Sequence, residues 1–270
     1  AFAGMTFLIL GLSACRLGPM VNNVNAIPRD TALRPSGAAS EWNGLYFKTI
    51  SNSPVSAQVG QIADHLYQKI LADAKLTQVM QRAGQTQLYL YQSRAEYLEK
   101  SKMPAWSDGV FTPRGIIIYL HPKVPETLAH EITHLIFWEF FGEARAELLW
   151  LNEGLAMHEE AQARPERTAD AYKSALPVLK GHYLPLAKLT GIASAIKHKN
   201  REAHIFYVES WLLVRFLLER GGNVGFYEFL KALKEHAPLD EAIRRAFPGK
   251  WNNLDELEMS FRNEYSAVLQ

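Results

Sequence analysis

The stretch TLAHEITHLI, residues 127–136, holds two histidines four positions apart, His130 and His134, with Glu131 directly after the first. Apolar residues surround these three polar ones on both sides. A proline stands near the start of the apolar pattern and a glycine just after its end, which are the positions where each residue suits a helix. The sequence therefore predicts a helix over residues 125–141 that carries all three polar side chains.

Residues four apart lie on the same face of a helix, with their Cβ atoms about 6 Å apart. His130 and His134 can therefore converge on one ion at Zn–N distances of about 2.0–2.1 Å. Glu131 is rotated by about 100° around the helix, so its carboxylate lies beside the ion, where it can deprotonate an activated water. The pattern indicates a zinc site with a general base. The alternative is three polar residues that happen to share a helix.

A catalytic zinc keeps three protein ligands and one open position, so the pattern needs a third donor. The segment WLNEG, residues 150–154, offers Asn152 and Glu153 in mostly apolar surroundings. Residues 135–152 separate His134 from Glu153, the second member of the Asn-Glu pair. An HExxH helix with an Asn-Glu pair at this distance, on a second helix, resembles the pattern of the gluzincin metallopeptidases. The resemblance is closest to the bacterial peptidase MA-like group and covers roughly residues 45–268.

The resemblance implies a zinc metallopeptidase with one zinc ion per chain, held by His130, His134 and Glu153, and with Glu131 as the general base. It also implies a residue that stabilises the oxyanion formed on the attacked carbonyl.

Two residues one helical turn apart, Tyr207 and His204, are the candidates for that role, and we favour Tyr207. The alternative for Tyr207 is an aromatic side chain packed in the core. Asn152 is a candidate for orienting a zinc ligand through a hydrogen bond.

Strands are expected before the motif and helices after it, which is typical of the α+β class. The expected strands are 45–51, 86–93 and 116–120, and the expected helices before the motif are 56–76 and 94–101. The helices expected after it are 144–162, 168–180, 204–220, 225–235, 239–246 and 253–268, with 184–191 as a loop. The fold implied by the resemblance is zincin-like: a small β-sheet with the active-site helix, followed by a mostly helical C-terminal half. By the same analogy, strand 116–120 is the sheet edge that would pair with an extended peptide.

The chain opens AFAGMTFLILGLSACRLGPM, a short apolar run followed by small residues. This pattern is typical of a secretory signal, and LSAC resembles the lipobox of bacterial lipoproteins, in which Cys15 would carry the lipid. The alternative is a buried N-terminal helix with one ordinary cysteine. We therefore expect a lipoprotein signal peptide at 1–14, a flexible tether at 15–41, a sheet-containing subdomain at 42–141 and a helical subdomain at 142–270.

The composition is that of a globular protein, with 48% hydrophobic and 21% charged residues and a formal net charge of +1. Lysine and arginine are spread along the chain, so the sequence shows no nucleic-acid surface. The sequence predicts a zinc metallopeptidase, by preference an endopeptidase, that acts on peptides or proteins. We expect it at the bacterial cell envelope, held in the membrane by a lipid anchor; in a Gram-negative cell it would sit on the outer membrane and face the periplasm. Two alternatives stay open: a non-catalytic zinc-binding envelope lipoprotein that serves as a binding or scaffold module, and a zinc amidase that acts on a non-peptide envelope substrate.

Overall fold

A computed structural model describes residues 33–37, 40–80, 84–143, 145–193 and 201–266 of the 270-residue chain. The expected signal peptide and Cys15 lie outside these residues. Among the helices of the described ranges, none combines the length and the apolar character that crossing a bilayer requires.

One mixed sheet of five strands forms in the first half of the described chain. Its strands are β1 (Ser40–Asn43), β2 (Phe47–Ser51), β3 (Thr86–Tyr91), β4 (Gly109–Thr112) and β5 (Gly115–Tyr119). They lie in the order β1-β2-β3-β5-β4. The pairs β2–β3 and β3–β5 are parallel, whereas β1 and β4 pair antiparallel with their neighbours at the two edges.

Helices surround the sheet and make up most of the second half. They are α1 (Ser56–Asp73), α2 (Arg94–Ser101), α3 (Val124–Phe141), α4 (Leu149–Gln162), α5 (Pro165–Leu179), α6 (Leu186–Thr190), α7 (Arg201–Phe216), α8 (Gly222–Lys234), α9 (Leu239–Ala246) and α10 (Leu254–Glu264). A 3-10 turn at Ala146–Leu148 leads into α4, and a π-helical segment at Leu217–Gly221 joins α7 to α8. The expected α+β class is confirmed.

The alternation of side chains along β5 shows how the sheet divides the core. Ile116 and Ile118 face the main core with α1 and α3, whereas Ile117 and Tyr119 face a smaller cluster on the opposite side. Successive side chains of a strand point to opposite faces, so a strand of apolar residues throughout is buried on both sides. Helix α3 packs on the main-core face and is thereby held against the sheet.

The motif helix has nearly the expected bounds, since it begins one residue early, at Val124, and ends at Phe141. Gly142 then adopts φ of 77°, a left-handed conformation that favours glycine and ends the helix.

Three expectations about the elements are wrong. Strands β1 and β4 were expected neither as strands nor as edges, because four residues give too short a pattern to recognise. Consequently β5, expected as the sheet edge, lies between β3 and β4, and the edge strand is β4. The segment 184–191, expected as a loop, contains the short helix α6.

The last part of the expected tether is packed against the fold. Leu33 is fully buried in the smaller cluster, and its carbonyl accepts a hydrogen bond from the Tyr91 hydroxyl. Glu41, in β1, forms an ion pair with Arg34. The described fold therefore includes residues that we assigned to the tether.

Candidate metal centre

Helix α3 places two imidazole rings next to each other on the side that faces α4. The ring centroids of His130 and His134 are 4.8 Å apart, and the ring planes are nearly perpendicular, at 81°. Only about 1% of either side chain is exposed. This proximity follows from the spacing of four residues, which is about one helical turn.

Helix α4 contributes a carboxylate to the same place. Glu153 is fully buried, and its Oε2 lies 3.9 Å from the Nε2 atom of His130 and 3.9 Å from that of His134. The ligand atoms of the three residues lie within 4.8 Å of one another. The structure thus brings together the three residues that the sequence predicted as ligands.

The donor set fits a divalent metal ion. The Nε2 atoms of His130 and His134 are buried and have no hydrogen-bond partner among the described residues. A buried polar atom without a partner is costly, and an ion between these atoms would satisfy both nitrogens and balance the carboxylate. Two imidazoles and one carboxylate are also a ligand set that leaves one coordination position open, as catalytic zinc sites require.

The other ring nitrogen of each histidine has its own partner on α4. His130 Nδ1 lies 2.9 Å from Glu160 Oε2, and His134 Nδ1 lies 2.9 Å from Asn152 Oδ1. Both acceptors require a hydrogen on Nδ1, which leaves Nε2 with its lone pair directed at the candidate metal position. Such partners fix the tautomer and the orientation of a ligating imidazole.

Glu131 is held beside this cluster by the edge strand. Its Oε2 accepts the backbone N–H of Phe111 in β4 at 2.6 Å, and only about 1% of the side chain is exposed. The strand lies directly on the helix, because a Cβ added to Gly109 would be 2.6 Å from Thr127 Cγ2 and 3.3 Å from Glu131 Cγ. The carboxylate is therefore fixed next to the face of α3 that carries the candidate metal centre.

A family model described as Peptidase MA superfamily matches residues 67–264, more than half of the chain. The chain belongs to the peptidase MA superfamily. Membership indicates a peptidase, and hence a hydrolase, as the general type of function. The matched range includes α3 and α4, the two helices that form the candidate metal centre. No curated protein matches the chain.

In this superfamily member, α7 packs on α4 directly beside the centre. A Cβ added to Gly154, the residue after Glu153, would lie 2.4 Å from the backbone oxygen of Ser210. Tyr207 is buried one turn before Ser210, so it lies on the part of α7 that is nearest to α4. His204 is exposed at the start of α7. Of the two oxyanion-stabilising candidates, Tyr207 is therefore the buried one.

The electrostatic surroundings of the two histidines differ. Burial opposes a charge on His130, but the carboxylates of Glu160, Glu131 and Glu153 outweigh it and raise the pKa of His130. Burial and the neighbouring His130 lower the pKa of His134, and the hydrogen bond with Asn152 offsets this only in part. A cluster of carboxylates in a buried site favours a positive charge, which is the condition that a metal ion meets.

Sequence reasoning missed Glu160, which orients His130. A signal was present, since Glu160 follows Glu153 by seven residues, close to two helical turns, and therefore lies on the same face of α4. It was overlooked because a glutamate in a helix is usually a solvated surface group.

Proposed function

We propose that this member of the peptidase MA superfamily is a zinc-dependent endopeptidase of the gluzincin type. The observation that carries the proposal is the convergence of His130, His134 and Glu153, with ligand atoms within 4.8 Å of one another. Zinc suits this set better than the hard cations, because imidazole nitrogen is a poor ligand for Mg²⁺ and Ca²⁺. When bound, zinc supplies Lewis acidity, which lowers the pKa of water and polarises a carbonyl group.

Glu131 is the proposed general base. Its carboxylate removes a proton from the attacking water and later delivers this proton to the leaving amine of the cleaved peptide bond. The backbone N–H of Phe111 holds the carboxylate in place at 2.6 Å.

Tyr207 is the proposed donor to the oxyanion that forms on the attacked carbonyl oxygen. Its hydroxyl can donate one hydrogen bond, and its helix packs on α4 next to Glu153. Asn152 and Glu160 act indirectly, by keeping the imidazole rings of His134 and His130 in their ligating orientation.

An endopeptidase is proposed rather than an aminopeptidase for two reasons. The sequence contains no GxMEN-type motif, the acidic motif that grips a free amino terminus in aminopeptidases. In addition, β4 is a sheet edge that contacts Glu131, and an extended peptide can add to such an edge through backbone hydrogen bonds.

We further propose that the protein acts at the bacterial cell envelope as a lipoprotein anchored through Cys15, on the outer membrane and facing the periplasm in a Gram-negative cell. The support is the LSAC sequence after a short apolar run. Replacement of Cys15 by serine should release the protein from the membrane fraction of cells. Continued membrane association of the Cys15→Ser protein would contradict the anchor.

The metal and the activity are tested together on purified protein. Elemental analysis should find one zinc per chain in the wild type and none in His134→Ala, while His65→Ala, which replaces an exposed histidine of α1, keeps its zinc. A peptide library should be cleaved by the zinc-loaded wild type. Glu131→Gln should keep the zinc and lose about 10²–10⁴-fold in rate.

Other results would replace the proposal. Zinc binding without cleavage of any peptide would favour the non-catalytic scaffold. Cleavage restricted to cell-wall amides would favour the amidase. Absence of zinc after reconstitution would remove the metal chemistry altogether.

A further inference from the structure

Helix α3 exposes one large apolar residue. Trp138 is the one exposed residue of this helix, with 39% of its surface accessible, and nearly all the others are buried. Exposure of a tryptophan side chain to water is unfavourable relative to its burial, because the side chain has a large apolar area. Burial of its exposed part by a bound molecule would therefore be favourable.

Trp138 lies on the same face of α3 as the candidate metal centre. At 100° per residue, its position around the helix falls between those of His134 and Glu131. It is one turn beyond His134, or about 6 Å further along the helix axis. The side chains of the centre are buried, so this face of α3 reaches solvent at Trp138. Trp138 is therefore the solvent-facing residue of α3 on this face.

A second aromatic ring lies beside Trp138 on the edge strand. The ring centroids of Phe111 and Trp138 are 6.3 Å apart, with the planes tilted by 54°. The backbone N–H of Phe111 is the group that donates to Glu131 Oε2. Phe111 therefore contacts both Trp138, through its ring, and the proposed general base Glu131, through its backbone N–H.

We propose that Trp138 and Phe111 form an aromatic subsite that holds an apolar side chain of the peptide substrate, close to the bond that is cleaved. The inference rests on the proposed function and adds the substrate class: peptides with an aromatic or branched aliphatic residue near the scissile bond. Such a side chain covers the exposed Trp138 ring and places its own backbone next to Glu131. Trp138 determines specificity and takes no part in proton transfer.

The test compares peptides that differ at one position. Matched peptides carry Phe, Leu, Ala or Ser at each position within three residues of the cleaved bond, and kcat/KM is measured with zinc-loaded wild type, Trp138→Ala and Met259→Ala. Met259 is 60% exposed on α10 and serves as the control for loss of an exposed apolar side chain. At one position, the wild type should prefer Phe and Leu over Ser. This preference should fall about tenfold in Trp138→Ala, the value expected for lost burial of a large apolar side chain, and change less than about twofold in Met259→Ala.

A uniform loss of kcat/KM for all peptides in Trp138→Ala would show a structural role and overturn the subsite. An unchanged preference in Trp138→Ala would overturn it as well. In both results the peptidase activity itself stands.

A binding assay tests the subsite independently of peptide cleavage. The same peptides are titrated into zinc-loaded Glu131→Gln protein, with and without Trp138→Ala. If the wild type cleaves no peptide but the Phe peptide binds about tenfold tighter than the Ser peptide through Trp138, the proposed activity fails and the subsite stands. If there is neither cleavage nor a binding preference that depends on Trp138, both fail.

Discussion

Two buried glutamates, Glu153 on α4 and Glu209 on α7, have very different surroundings although neither is exposed to solvent. Each is followed directly by the residue at which the two helices touch, Gly154 and Ser210. Glu153 faces two imidazole nitrogens at 3.9 Å. Glu209 accepts one backbone N–H, from Leu184 at 3.0 Å, and its Oε1 has no hydrogen-bond partner among the described residues.

These surroundings determine whether a proton or a cation neutralises each carboxylate. Burial raises the pKa of Glu209 to about 8, the charge of Glu258 adds to this effect, and the N–H of Leu184 opposes it. A proton thus neutralises Glu209, which acts as an anchor for the segment before α6. Glu153 instead lies close to two imidazole nitrogens, so a cation between these groups can neutralise it. Burial of a carboxyl group therefore does not by itself indicate a site; the groups that surround it do.

The largest effect is expected from the same substitution at both acids. Glu153→Gln should lower zinc affinity by more than about a hundredfold, because loss of a ligand costs more than loss of a group that merely orients one. Glu209→Gln should bind zinc as the wild type does. Competition with a chelator measures both affinities, and equal affinities in the two variants would remove Glu153 from the site.

Next in size is the effect of the carboxylate that orients His130. Glu160→Gln should lower zinc affinity about 10–100-fold, since it weakens the partner of His130 Nδ1. The matched control is Glu159→Gln, the neighbouring acid, which lies 3.4 Å from Lys69 Nζ. The same competition assay should find wild-type affinity in the control. A similar loss in both variants would indicate a general disturbance of α4.

The contact between the two compared regions is tested at Gly154. In Gly154→Ala, the new Cβ would collide with the backbone of Ser210, so α7 must move away from α4. The free energy of unfolding should fall by about 1–3 kcal/mol, as is typical of overpacking. Gly84→Ala, at which a Cβ meets nothing within 4 Å, should change it by less than about 0.5 kcal/mol. Denaturant unfolding compares the two, and equal stabilities would contradict the tight contact.

The smallest effect, counted per pH unit, is a pH dependence caused by Glu209. Its pKa is about 8 in the folded chain, whereas the ordinary pKa of a glutamate, which applies to the unfolded chain, is 4.5. Between these values the folded chain holds a proton that the unfolded chain has lost, so the free energy of unfolding falls as pH rises, by at most about 1.4 kcal/mol per pH unit. The contribution is fully present below the ordinary pKa and is lost as pH rises through the folded value.

The variant Glu209→Gln cannot titrate and keeps an oxygen for the N–H of Leu184. Its stability relative to the wild type should therefore increase between about pH 5 and pH 8. The titration of the histidines is common to both proteins and cancels in this difference. Unfolding is measured across this range with Glu143→Gln, an exposed acid, as the control. A pH-independent difference between Glu209→Gln and the wild type would show that Glu209 is already ionised.

The motif helix and its two histidines could be predicted because helical geometry fixes what residues four apart can do. Glu153 could be predicted because its position after the motif matches a known pattern. Glu160 was missed although its spacing of seven residues from Glu153 places both on one face of α4. Trp138 and Glu209 could not be predicted, since nothing local distinguishes them from a core aromatic and an ordinary helical glutamate. Their roles come from neighbours distant in sequence, which the fold brings together.

The fold shows the same division between local and distant information. Strand β5 was recognisable from its run of β-branched residues, whereas β4 owes its strand structure to pairing with β5. The edge position of β4, and with it the surface proposed for an extended peptide, depends on strand order, which short-range patterns do not encode.

The hydrogen bond between His130 and Glu160 joins residues only 30 positions apart, and the other groups of the centre lie between them or next to His130. Closing a chain segment of this length has a small entropic cost compared with pairing distant strands. During synthesis, α3 and α4 can therefore meet as soon as they have left the ribosome, before α7 has been made. The helical pair that carries the candidate metal centre can then act as an early folding unit onto which the remaining C-terminal helices assemble.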